Sequence, residues 1–118
     1  MRFPLLVVAL LLACPVSFAQ HQHAAAPAAD VRLIEGLGEF HLPVRTSAPE
    51  AQRFFDQGLI LVYGFNHDEA ARAFRRAAEL DPKMAMAQWG LALALGPNSN
   101  ETSISPERMK AAHEAVRR

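Results

Sequence analysis

Between Phe54 and Val62 the apolar side chains fall on two adjacent helical stripes: Phe55, Leu59 and Val62 recur at i, i+4 and i+7, and Phe54, Gly58 and Leu61 lie beside them. A helix that is apolar over two faces cannot rest on a surface with one side in water, so it needs neighbours on both sides. That requirement points to stacked helices. The segment begins at Pro49, with Ser47 placed as its N-cap and Pro49 in the first turn. Gly64 follows it, a residue free to take the left-handed conformation common just past a helix.

A second helix is expected over NHDEAARAFRRAAELDP, residues 66 to 82. Asn66 is a strong N-cap, and Glu69 lies three residues on, where a capping box would return its carboxylate to the cap's own N–H. Asp68 adds a negative charge to the first turn, which the helix dipole favours. The succession His67, Asp68, Glu69 looks at first like a metal or acid–base trio. Consecutive helical residues fan out by about 100° each, however, and the residue four past His67 is Ala71, so the trio cannot converge on one ion. His67 is expected to be exposed at the turn. Further on, Ala70, Ala73, Phe74, Ala77 and Leu80 form the buried stripe, and their small side chains permit close helix approach. Arg72, Arg75, Arg76 and Glu79 take the solvated side, with Asp68–Arg72 and Arg75–Glu79 as i, i+4 pairs.

Phe54, Gly58, Leu61, Ala70, Phe74, Ala77 and Pro82 together resemble the tetratricopeptide (TPR) pattern of aromatic, glycine, large apolar, alanine, aromatic, small residue and proline. Two positions depart from it: Gln57 stands where leucine is usual, and Leu61 where tyrosine is common. Ala51 to Met84 reads as one complete repeat. A shift by the period of about 34 residues sets Trp89 on Phe55, Ala92 on Gly58, Leu93 on Leu59 and Leu95 on Leu61, so a second repeat starts near 85. Its second helix, AAHEAVRR, arrives late, because a turn-rich loop over 96–103 intervenes; Ser105 and Pro106 then start it. The repeat is incomplete at 118, and a core of this type needs further repeats or another chain to complete it. A longer parent protein is the preferred explanation.

The stretch from Phe54 to Asn100 is also similar to bacterial exported TPR proteins. The resemblance implies an all-α fold of antiparallel helix hairpins in an α–α superhelix, a role in binding a protein or peptide, no cofactor and no catalytic residues. It further implies a concave binding face, whose matching positions here are Gln52, Phe55, Leu59, Val62, Tyr63, Met86, Trp89 and Leu93. Such an apolar groove suits an amphipathic helix or an extended apolar peptide. The alternative is that Phe55, Trp89 and their neighbours pack against the segment from Val31 to Val44, or against further helices.

The chain's beginning belongs to a different economy. MRFPLLVVALLLACPVSFAQ carries one basic residue, a short apolar run and small residues at Ser17 and Ala19, which reads as an export signal over 1–19. A competing reading makes Leu11 to Cys14 a lipobox, and only then would a membrane anchor exist, through Cys14. Either way the expected location is outside the cytoplasm, periplasmic or secreted. Residues 20–48 form an alanine-rich linker and an extended lead-in lying against the first helix. His21 and His23 could offer copper or zinc ligands near a new N-terminus, and an envelope metal-binding role is the least favoured function. His41 is expected to be a packing residue. Formal net charge is zero over 118 residues, so nucleic acid is excluded as an expected partner. Nothing in the chain marks a nucleophile with an adjacent base, and an architectural segment of a larger secreted protein stands beside the scaffold reading.

Overall fold

The computed structural model describes residues 31–101 and 103–118, and among them the fold is all-α. The export signal, Cys14, His21 and His23 lie outside the described residues. Four helices follow one another: α1 Pro49–Tyr63, α2 His67–Leu80, α3 Ala85–Leu95 and α4 Pro106–Val116. Each packs on the next in sequence, and α1 also reaches α3. No described helix is long and apolar enough to cross a membrane.

The helix ends differ in detail from the capping expected of the sequence. The N-cap of α1 is Ala48, in extended conformation and without a side-chain cap bond, because Ser47 is engaged elsewhere. At the other end Gly64 keeps a negative φ of −81°, and the left-handed residue is Phe65, at φ 61°. The N–H of Asn66 reaches the Leu61 carbonyl at 2.8 Å and that of Phe65 reaches Val62 at 3.0 Å, the paired bonds of a Schellman turn with Phe65 at the position glycine prefers. At α2 the cap is one-sided. Asn66 Oδ1 accepts from the Glu69 N–H at 3.4 Å, but the Asn66 N–H is already spent on Leu61, so the Glu69 carboxylate turns to Arg72 instead. The ion pairs of this helix accordingly run i, i+3, Glu69–Arg72 and Arg76–Glu79, in place of the i, i+4 pairs expected. Ser105 does cap α4, accepting from the Arg108 N–H at 3.2 Å with Pro106 in the first turn.

The centre of the packing is one aromatic ring. Phe74 on α2 is fully buried, and a Cβ added at Gly58 on α1 would meet its ring at 2.6 Å; one added at Gly90 on α3 would meet it at 2.4 Å. Two glycines from two helices therefore make the slot that the ring fills, and no larger residue fits either wall. Phe55 closes a third side, with ring centroids 5.7 Å apart and planes tilted by 58°. Ala51, Ala70, Ala77, Ala87 and Ala94 complete the buried cluster with Leu59, Met84 and Leu95, so small residues bring the helices close around a few large ones.

Asp81 ties the start of α1 to the end of α2. Its Oδ2 accepts from the Thr46 hydroxyl at 2.6 Å and the Ser47 N–H at 2.9 Å, while Oδ1 accepts from the Lys83 N–H at 3.1 Å. These bonds, the Thr46 hydroxyl first among them, hold the carboxyl below the ordinary carboxylate range. A carboxyl with a depressed folded-state pKa contributes stability that is complete above the unfolded value of about 4 and is lost as pH falls further. Thermal melts between pH 7 and pH 3 are therefore expected to show the wild-type chain losing more of its midpoint below about pH 4 than Asp81→Ala. Parallel curves for the two chains would contradict the assignment.

Candidate interaction surface

The structure divides the eight residues expected to line one concave groove. Phe55, Leu59 and Val62 are buried in the core: Phe55 faces Phe74, and the lead-in residues Val31, Leu33, Leu37 and Val44 pack against the same cluster. They present no surface to a ligand, which corrects that part of the expectation. Gln52 is half-buried and its carboxamide is occupied within the chain. Tyr63 is 72% exposed at the end of α1. On α3 the stripe stays open, with Trp89 43% and Leu93 39% exposed and Met86 half-buried beside them. These three share a helix face by their i, i+3, i+7 spacing. The buried residues of α3 are Ala87, Gly90, Ala94 and Leu95; Gly90 lies against Phe74 of α2, and Ala87 and Ala94 share its stripe by their spacing.

What covers α1 is the lead-in, which runs antiparallel to it as a strap. Gln57 Oε1 accepts from the Ile34 N–H at 2.8 Å, and its Nε2 donates to the Arg32 carbonyl at 3.1 Å. Asp56 Oδ1 accepts from the Leu42 N–H at 3.1 Å, and Oδ2 pairs with His41 Nδ1 at 2.8 Å. Gln52 Oε1 accepts from the Val44 N–H at 3.1 Å while Nε2 donates to the Leu42 carbonyl at 2.9 Å. Between the anchored ends the strap turns at Gly36 and Gly38, whose φ of 80° and 96° lie where glycine is favoured. Asp56 and Gln57 are buried polar residues, and these bonds compensate their loss of water. Asp56 belongs to no motif in the sequence. Its one available signal was Gln57, a polar residue in the leucine position of an otherwise apolar helix.

The turn into α2 makes a second, smaller feature. His67 is half-buried, not exposed: both ring nitrogens are inaccessible and without a hydrogen-bond partner among the described residues, and its ring meets Phe65 edge-on at 6.4 Å. It borders a polar cavity of about 240 Å³ with Asp68, Asn98, Asn100, Glu101 and Arg108. Arg108 there serves the fold. It donates to the Ala94 and Leu95 carbonyls at 2.9 and 3.1 Å, satisfying the end of α3, and pairs with Glu101 at 2.8 Å. Of the α2 arginines, Arg72 and Arg76 are ion-paired, while Arg75 turns inward, its pKa lowered by burial and by Arg72. Among the described residues no group of three or more His, Cys, Asp or Glu side chains is arranged to hold a metal ion.

No family model matches this chain, and no curated protein or solved structure matches it.

Proposed function

We propose that the chain is a non-catalytic helical-repeat scaffold of the TPR type, acting in the bacterial cell envelope and binding a protein or peptide through Met86, Trp89 and Leu93 on α3. The observation that carries the binding role is the exposure of Trp89 and Leu93 on a helix that buries a separate stripe, Ala87, Gly90 and Ala94. A tryptophan half in water beside a leucine and a methionine is the kind of anchor on which interface energy concentrates. The repeat reading draws support from Phe74, seated between glycines of the helix before it and the helix after it. The envelope location rests on the character of residues 1–19.

The test is capture from an envelope extract on immobilised protein, wild type beside Trp89→Ala. Retention of a specific protein is expected to fall by about tenfold or more with the variant, the loss typical of a hot-spot residue. Equal retention by both chains would remove the α3 stripe from the function.

One observation favours a second reading, an architectural segment within a longer helical stack. Val116 on α4 corresponds in sequence pattern to Phe74 on α2, yet it is 59% exposed, as is Met109 in part. That leaves α4 with an uncovered apolar face of the kind that α3 covers on α2.

A further inference from the structure

We infer that the outer face of α1 is a binding site for an extended peptide main chain, and that residues 31–44 are its occupant in cis. The face is defined by comparison with α3. Shifted by the repeat period of about 34 residues, the buried α3 stripe Ala87, Gly90 and Ala94, whose Gly90 meets Phe74 on α2, falls on Arg53, Asp56 and Ile60 of α1. These three line the space beneath the strap. The strap therefore stands on α1 where α2 stands on α3.

The two faces select different occupants. The α3 face offers two alanines and a glycine, which accept a closely packed helix. The α1 face offers Asp56, with Gln52 and Gln57 beside it, and these need donors and acceptors from whatever covers them. A helix cannot supply them from its main chain, because its backbone groups are satisfied internally. An extended chain can. Gln52 and Gln57 each take one N–H and give to one carbonyl of the strap, as a neighbouring strand would, and Asp56 takes a third N–H. Of the strap's side chains only that of His41 joins this set of bonds. Recognition directed at the main chain is transferable to another peptide of the same extended form.

Part of the strap's apolar surface stays uncovered. Ile34, Phe40 and Leu42 remain exposed, and a cavity of about 190 Å³ persists between strap and helix. The occupant that fits in trans is thus an extended peptide with apolar side chains at the Leu33 and Leu37 positions and room for bulkier ones. This site is separate from the α3 stripe, so either can fail alone.

A labelled peptide of residues 31–44, titrated into the full chain by fluorescence anisotropy, tests the inference. The wild-type chain binds it weakly, because the cis strap competes at an effective concentration in the millimolar range. Ile34→Pro with Leu42→Pro removes two of the N–H donors from the strap and leaves α1 untouched. That chain is expected to bind the peptide at least about tenfold tighter than wild type, since the competitor is weakened. Adding Gln57→Leu is expected to return binding to the wild-type level. The inference is overturned if the proline pair, with its helical circular dichroism intact, binds no tighter than wild type, or if Gln57→Leu changes nothing. Should the proline pair lose helical signal, His41→Ala with Leu37→Ser loosens the strap by other contacts and is read against the same two outcomes.

Discussion

Phe74→Ala is expected to cost about 3–5 kcal/mol, the range for truncating a fully buried aromatic residue. The ring is fully buried and sits in a slot whose walls are the backbones of α1 and α3 at Gly58 and Gly90. Helix backbones cannot collapse into the space a ring leaves, so the cavity persists and the loss lies toward the upper end. A domain of this size has about 5–15 kcal/mol in total, so the variant is expected to be largely unfolded at modest urea. Urea titration followed by circular dichroism measures it. A loss below about 1 kcal/mol would mean that Phe74 does not join the three helices as described.

Asp56→Ala is expected to have the next largest effect, about 1.5–3 kcal/mol, because it removes a charged acceptor and strands its donors. The Leu42 N–H, the Gln52 amide and His41 all lose the same partner. The damage should be local. Hydrogen exchange is expected to accelerate at Ile34, Leu42 and Val44, the strap amides whose acceptors lie on α1, while the amides of α2 and α3 change little. Uniform acceleration over all four helices would show that Asp56 supports the core and not the strap.

The periodicity of Phe54 to Val62 was enough to require stacked helices, and Asn66 and Ser105 marked two helix starts by the chemistry of their side chains. Exposure was not legible in the same way. Phe55 and Trp89 occupy equivalent positions after the repeat shift, yet one is buried and the other open. The difference lies in the surroundings: Phe55 meets the ring of Phe74, whereas the residue corresponding to Phe74 in the second hairpin is Val116, itself exposed. Periodicity records which face is apolar, and it does not record what stands opposite. The strap was legible only as an extended segment against the first helix. Its fastening depends on side chains that bind main-chain atoms, and such bonds impose no pattern on the partner sequence. Gly64 and Phe65 give a similar lesson, since the network of bonds back to Leu61 and Val62 decides which residue becomes left-handed.

These features share one frame, a stack in which each of the first three helices is gripped on two sides. α2 has α1 and α3, α3 has α2 and α4, and α1 has α2 and the strap. The apolar surface left over includes the Met86–Trp89–Leu93 stripe and the outer face of α4, and the first of these is the proposed site of partner binding.

The central claim is that Phe74 locks α1, α2 and α3 together through glycine at two walls, and Gly90→Ala tests it by sign. Alone, the added methyl group would meet a ring that Gly58 prevents from retreating, so a loss of about 1–3 kcal/mol is expected despite alanine's better helix propensity. In a Phe74→Ala background the clash is gone, and the same substitution is expected to stabilise by up to about 1 kcal/mol. Urea unfolding of the four chains, all in a stabilising osmolyte so that the weakest remains folded, gives both values. A reversal of sign is the predicted result; a Gly90→Ala effect that agrees in the two backgrounds within about 0.5 kcal/mol would contradict it.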